Sequence, residues 1–453
     1  MQQAISYRDR NGFIIVKDGT AYRFVAHAYA KQYDHLLGSG LYQRLAEEKL
    51  LIPHTENILS AEEKISYYKI LLPEFIQCMS FPGEWSAGQW KEVVLSYLKI
   101  NSIAVEYGMI LKDGTPFNFT FHKGRCVFFD TLSFDFYEDG QPWIAYRQFS
   151  ESMFGPLALI FFNSVQWAAL MTLSINGWDL SFISGNLPKR TYLRINIFLH
   201  IHLHSKYRKS NQKNLLKQSS FNKQKLILLW KMMARSINQW KVAEQSKEWS
   251  SYYDTDIESD LYIEDKTAVI TRWLRDCHPE RVIDIGANTG KFSLLSSLFA
   301  KEVVAVELDH DCIDQLFRTI KEKGITNITT IVSDITQPTP GVGWNNEERL
   351  PLLKRIHGDM LLSLALIHHL CISKNIPPAF IAQLFAGITD KYAVVEFVPK
   401  SDPKIQQMLA NREDIFDDYS EEQFIHCFNE YFVLEEVHVC VSSKRKLFLW
   451  VKK

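Results

Sequence analysis

From residue 281 to the end of the sequence, short apolar runs alternate with stretches of helical length. The runs are RVIDIG (281–286), EVVAVEL (302–308), ITTIVS (328–333), MLLSLAL (360–366), YAVVEF (392–397), FVLEEVHVC (432–440) and KLFLWV (446–451). Regular alternation of strand and helix predicts an α/β fold with helices on both faces of a mostly parallel sheet. The last two runs leave no room for a helix between them, so they are expected to pair antiparallel.

The pattern before residue 185 is different and predicts an α+β domain. GFIIVKDGTAYRFV (12–25) reads as a hairpin turning at Asp18-Gly19, and FTFHKGRCVFFD (119–130) as a second one turning at Lys123-Gly124. Leu41 to Leu51 has helical spacing and ends before Pro53. Ser152 to Trp178 carries no charge and is long enough to span a bilayer. Pro156, Asn163, Ser164, Gln166 and Asn176 interrupt it and no Lys/Arg cluster flanks it, so a buried core helix is expected. A chain of 453 residues exceeds one ordinary core. The expected division is 1–185, a basic helical connector at 186–250, and 251–453.

Charge changes this picture only locally. The 51 Lys and Arg nearly cancel the 52 Asp and Glu, so the whole-chain balance selects no partner. Residues 189–247 are the exception, with fourteen Lys/Arg against one acid, Glu244. Such a band is either a solvated connector or a surface for an anionic partner. It shows no interleaved aromatic pattern or RNA-binding motif, so nucleic acid is not the expected partner. The seven cysteines are scattered without a CxxC or zinc spacing, which fits free thiols in a reduced compartment. The opening MQQAISYRDR lacks the apolar core of a signal peptide, and a cytoplasmic location away from membranes is expected.

The richest chemistry lies in RVIDIGANTGKFS (281–293). An apolar strand reaches Asp284, a small-residue turn follows, and a helix is expected from about Lys291. Gly286 and Gly290 allow close approach of the backbone to a ligand, and free amides at the helix start would face it. The D-x-G-x-N-x-G spacing is not a dinucleotide fingerprint, because Asn288 and Lys291 stand where the second and third glycines belong. Glu307 ends the next strand, where a carboxylate can accept from both ribose hydroxyls. Asp334 follows the third strand and is a candidate acceptor for an adenine amino group.

These residues, with VIDIGANTG as the first motif, resemble the class I S-adenosylmethionine-dependent methyltransferases over roughly 252–453. VGWNNEER (342–349), LALIHHL (364–370), VVEFVPKSD (394–402) and REDIFDDY (412–419) are similar to a subgroup related to nodulation proteins. The resemblance implies a Rossmann-like seven-stranded sheet, S-adenosylmethionine as cofactor, and cofactor contacts from Asp284, Gly286, Asn288, Gly290, Glu307 and Asp334. Many such proteins carry a glycine where Asn288 stands; here its side chain could reach the cofactor's amino-acid end.

Methyl transfer needs alignment, desolvation and, for a hydroxyl acceptor, a base. No metal is expected. His368 and His369 follow the fourth strand and are the catalytic candidates; either one could equally be a core or capping histidine. Asp359 precedes that strand, with a structural, capping or cofactor-facing role open. Glu396 ends the fifth strand and is a candidate for binding the acceptor. Trp344 and Asn345, on the loop Pro338 to Arg349, suit either a substrate lid or a plain surface loop. Tyr252 and Tyr253 could close over the cofactor. The expected acceptor is a small molecule or a carrier-linked group. A non-catalytic cofactor-binding scaffold is the alternative.

Asp113, Asn118 and Asp130, within YGMILKDGTPFNFTFHKGRCVFFDTLSF (107–134), have a spacing that resembles the catalytic and metal-binding loops of protein kinases and aminoglycoside-type phosphotransferases. The resemblance implies roles as hydroxyl acceptor and metal ligands. Leu111 stands where a histidine is usual, no glycine-rich phosphate loop precedes the first strands, and only Lys17 or Arg23 could replace the phosphate-binding lysine. A kinase-like remnant used for substrate binding is therefore expected. A bifunctional enzyme with an active phosphotransferase domain is the other alternative.

Overall fold

A computed structural model describes residues 9–207, 222–242, 260–410 and 413–453. The chain forms two units, one of Met1–Glu244 with Pro340–Leu350, the other of Gln245–Thr339 with Pro351–Lys453.

In the first unit, strands β1 (Gly12–Lys17), β2 (Thr20–Val25), β3 (His54–Glu56) and β4 (Lys69–Pro73) form a sheet in the order β1-β2-β4-β3, antiparallel throughout. The β1–β2 turn places Asp18 (φ 49°) and Gly19 (φ 72°) in left-handed conformations, as a tight two-residue hairpin turn requires. Lys123 (φ 50°) and Gly124 (φ 72°) do the same between β6 (Phe119–His122) and β7 (Arg125–Phe128). A third antiparallel pair joins β5 (Met109–Leu111) to β8 (Phe134–Phe136). The predicted helix after Leu41 runs to Glu47.

Only the first part of the uncharged stretch is a buried helix; after Phe162 it breaks into short turns that expose Leu170 and Leu173. A π-turn over Ser150–Phe154 leads into the helix Gly155–Phe162, every residue of which is buried, and the helix stops at Asn163. Among the described residues no helix is long and apolar enough to cross a membrane.

The basic stretch departs from the expected connector. Its described residues belong to the first unit, and the helix Lys223–Asn238 packs against the helix Ala87–Ala104. Leu226, Trp230, Met233 and Ile237 form its buried stripe, and the Trp230 ring meets Trp143 edge-on at 5.4 Å. Charge counting hid that stripe, because lysines and arginines occupy the opposite face of the same turns.

In the second unit one sheet holds all seven predicted strands: β9 (Arg281–Ile285), β10 (Glu302–Glu307), β11 (Ile328–Val332), β12 (Gly358–Ser363), β13 (Thr389–Phe397), β14 (Phe432–Val439) and β15 (Lys446–Lys452). Their order is β11-β10-β9-β12-β13-β15-β14. The first five run parallel, and β15 pairs antiparallel with both β13 and β14. β9, with neighbours on both edges, is buried at every residue. β14, at the sheet edge, alternates instead. The chain winds from β9 outward through β10 to β11, then returns to lay β12 on the other side of β9. That reversal is a topological switch point, and open α/β sheets bind ligands beyond the carboxyl ends of the strands at such a point.

Truncating Trp230 to alanine removes a fully buried indole from the first unit. The expected cost is about 3–5 kcal/mol of stability, read by urea unfolding. An unchanged midpoint would show that the helix is not part of that core.

Candidate functional site

The bend after β9 is built from three left-handed residues, Gly286 (φ 77°), Asn288 (φ 50°) and Gly290 (φ 84°). The Gly286 and Ala287 amides both donate to the Val306 carbonyl, at 2.9 and 3.1 Å, which holds the bend against β10. A Cβ on Gly290 would stand 2.3 Å from Leu316 Cδ1, and one on Gly286 would stand 3.3 Å from Leu366 Cδ1. Glycine is therefore demanded by φ and by packing of the protein against itself, beyond the ligand approach expected from the sequence. The helix that follows, Lys291–Ser296, starts where expected.

Asp284 is buried one residue before the end of β9, where it accepts from the Ser293 hydroxyl at 2.5 Å. Burial pushes its carboxyl up to about 6, against the opposing effect of the Ser293 hydrogen bond. Glu307 spans two bends. Its Oε2 accepts from the Asn288 amide at 2.8 Å and its Oε1 from the Asp309 amide at 3.0 Å. Burial raises its pKa, and those amides work against the rise. The Leu308 amide also bonds this carboxylate; of the about four acceptor directions of an ionised carboxylate, these three amides leave capacity for one further donor. The Asn288 side chain turns to its own neighbour, with Oδ1 accepting from the Thr289 amide at 2.6 Å.

Asp334 follows β11 and is more heavily engaged. Thr336 gives it an amide at 2.9 Å and a hydroxyl at 2.6 Å, and Lys374 Nζ lies 2.9 Å from Oδ2. Partial burial alone would raise its pKa, but the Thr336 and Lys374 contacts hold it below the usual value.

Beyond β12 the chain passes through Ala365, a non-glycine residue at φ 52°, and then His368 and His369, whose rings lie 4.2 Å apart. His368 is fully buried, and neither ring nitrogen has a hydrogen-bond partner. Burial, then His369 and the cations Arg445, Lys404 and Lys266, hold its pKa far below the ordinary value. Burial likewise takes His369 down to about 4. Both imidazoles are neutral near pH 7.

Glu396 ends β13 in a buried ionic cluster that the sequence pattern did not reveal. Its Oε1 accepts from the Tyr262 hydroxyl and its Oε2 pairs with Lys266 at 2.5 Å. Arg445 lies 3.9 Å from Glu396 and pairs with Asp402 at 2.8 Å. Tyr262 and Lys266 lie more than 100 residues from Glu396 in the chain, and Arg445 lies 43 residues from Asp402, so no local spacing marks the cluster. Asp359 sits at the opposite end of the sheet, accepting from the Glu280 amide at 2.8 Å. Tyr252 and Tyr253 lie outside the described residues.

Trp344 and Asn345 belong to Pro340–Leu350, which is grouped with the first unit, whereas Asp284, Glu307 and the histidines belong to the second. Val342 packs there with Phe81 and Phe117, the Arg349 guanidinium lies 5.9 Å from the Phe81 ring centre, and Trp344 is exposed.

In the first unit Asp113, Asn118 and Asp130 converge on one hydroxyl. Ser133 Oγ lies 2.5 Å from Asp130 Oδ2, 3.2 Å from Asp113 Oδ2 and 3.3 Å from Asn118 Nδ2. Asp130 also pairs with buried Arg23. Burial and the Asp130 charge raise the pKa of Asp113; Arg23 and Ser133 outweigh burial to lower that of Asp130.

No family profile matches the chain. The Nodulation protein NoeA of Rhizobium meliloti (strain 1021) is 26% identical over an alignment 455 positions long that covers 98% of this chain and 94% of that one. The chain is thus similar to a nodulation protein along almost its whole length. A stretch of 75 residues, 17% of each chain, is 33% identical to the 23S rRNA (uracil(1939)-C(5))-methyltransferase RlmD of Pseudomonas putida. Among solved structures, N-methyltransferase NodS of Bradyrhizobium japonicum WM9 in complex with S-adenosyl-L-homocysteine covers 46% of this chain and 99% of its own, at 11% identity and a TM-score of 0.34. Magnesium protoporphyrin IX methyltransferase of Synechocystis PCC 6803 with bound SAM covers 45% and 89%, at 14% identity and a TM-score of 0.32.

Two outcomes are expected from this geometry. Gly290→Ala should lose about 2 kcal/mol through left-handed strain and overpacking on Leu316, seen as a lowered urea midpoint. Asp284 holds its proton to higher pH in the folded chain than in the unfolded one, so the native state binds more protons between about pH 4 and about 6. Wild type should therefore lose stability relative to Asp284→Asn as pH rises across that window. The gap should level off near neutrality at on the order of 3 kcal/mol; a gap independent of pH would contradict the buried, protonated carboxyl.

Proposed function

We propose that the second unit binds S-adenosylmethionine and transfers its methyl group to a small-molecule or carrier-linked acceptor. The observation that carries this reading is the left-handed glycine bend at the switch between β9 and β12, tied to a Glu307 carboxylate with acceptor capacity to spare. The residues fit an adenosine nucleoside. Glu307 would take a ribose hydroxyl, and Asp334, with its oxygens already in use, would offer at most one further direction to the adenine amino group. Asp284, Gly286, Asn288 and Gly290 would shape the bend around the rest of the cofactor. When bound, the sulfonium supplies a methyl carbon already activated for in-line displacement.

The chain's own contribution is alignment and proton handling. His368 and His369 follow β12 and are neutral but weakly basic, so in this reading they accept a hydrogen bond from the acceptor and take its proton only as bond formation to the methyl carbon makes that proton acidic. Glu396 is committed to Tyr262 and Lys266. Its part in this reading is to hold the floor beneath the acceptor rather than to bind it directly. Trp344 and Asn345 sit on a loop grouped with the first unit and have no assigned role in this reading.

A second reading concerns the first unit, and the convergence of Asp113, Asn118 and Asp130 on Ser133 favours it. In it the unit is a phosphotransferase-like remnant that binds the acceptor. A divalent metal does not fit the cluster. Arg23 already neutralises Asp130, and among the described residues no group of three His, Cys, Asp or Glu side chains is placed to hold a metal. Magnesium-dependent ATP binding abolished by Asp130→Ala would overturn the remnant reading in favour of an active phosphotransferase.

Calorimetry with S-adenosylhomocysteine should show binding that Glu307→Ala weakens by about 10–100-fold, the loss of hydrogen bonds to a charged acceptor, with the fold checked by circular dichroism. With tritiated S-adenosylmethionine, a His368→Ala, His369→Ala double variant should retain binding while turnover falls about 10²–10⁴-fold. Binding without turnover by wild type across candidate acceptors would favour a scaffold. No heat with either form of the cofactor would end the cofactor reading.

A further inference from the structure

We infer that the outward face of the first unit formed by residues 189–199 and the helix Lys223–Asn238 docks on an anionic lipid bilayer surface. The helix buries one stripe in its own unit, yet it carries a second apolar pair on the outside. Leu228 and Met232, one turn apart, are 58% and 53% exposed, and Lys225, Lys231 and Arg235 flank them with no acid in the helix. Beside them Leu193 and Ile195 are 90% and 64% exposed. Asn196 Nδ2 donates to the Met232 carbonyl at 3.4 Å, which sets the two segments side by side.

Aliphatic side chains aimed at solvent cost free energy in a monomer and serve no core role. Aliphatic and cationic side chains on one face match the interfacial zone of a bilayer, where the first insert among acyl chains and the second meet phosphate. The charge is one-sided beyond the two segments, with fourteen Lys/Arg against one acid across 189–247. Nucleic acid fits less well, since cations alone would serve phosphates and bases call for aromatic platforms; the outward groups here are chiefly aliphatic. This surface is independent of the cofactor reading.

The test is co-sedimentation of the full-length chain with vesicles of phosphatidylcholine alone or of phosphatidylcholine mixed with phosphatidylglycerol. Binding is expected only to the mixed vesicles and should weaken with salt. Lys231→Gln with Arg235→Gln should weaken it by about 25-fold, at about fivefold per cation, and Leu228→Gln with Met232→Gln should weaken it as well. These exposed changes should leave the thermal midpoint unchanged. Equal binding to both vesicle types, no binding to either, an aliphatic double variant that binds like wild type, or tighter binding to a single-stranded RNA oligonucleotide would each overturn the inference.

Discussion

The carboxylate of Glu307 accepts the amides of Asn288 and Asp309, and so ties the bend after β9 to the bend after β10. Both amides face a partly buried space, and each would cost free energy if left unpaired there. The geometry of the proposed nucleoside site follows from that tie. It fixes a left-handed bend at the sheet's switch point, and it holds a carboxyl group where the proposed ribose would need an acceptor. Leu316 and Leu366, packed against Gly290 and Gly286, hold the bend from the other side. The loop is therefore shaped before any ligand arrives, which lowers the ordering cost of binding.

Next to this bend the second unit buries charge instead of avoiding it. Lys266, Glu396, Asp402 and Arg445 are all buried, with the Tyr262 hydroxyl among them. Breaking such a pair by removing one partner typically costs about 3–5 kcal/mol, because the other charge is left uncompensated. The cluster cross-links the helix before β9, the end of β13 and the start of β15, and it contributes to the positive potential that keeps His368 neutral. His368 thus presents an unprotonated imidazole with neither nitrogen hydrogen-bonded, three residues after the left-handed Ala365.

Much of this was legible in the sequence. All seven strands of the second unit, the antiparallel final pair, both hairpin turns and the helix start at Lys291 follow from patterns a few residues long, and such patterns survive folding because local backbone preference and burial agree. Asp113, Asn118 and Asp130 do meet in space. What could not be read depended on distant partners. The Glu396 cluster joins segments more than 100 residues apart; the inner stripe of the helix Lys223–Asn238 was masked by its charges; and the loop carrying Trp344 is grouped with the first unit because Val342 packs beside Phe81 and Phe117. The glycines were read as room for a ligand, and the structure adds that Leu316 and Leu366 occupy the side a Cβ would take.

The most direct test of the proposed cofactor site is a crystal structure of the full chain with S-adenosylhomocysteine. A ribose hydroxyl is expected within about 2.5–3.0 Å of the Glu307 carboxylate, with the sulfur directed toward His368 and His369. A nucleoside bound elsewhere, or one whose ribose makes no contact with Glu307, would contradict it.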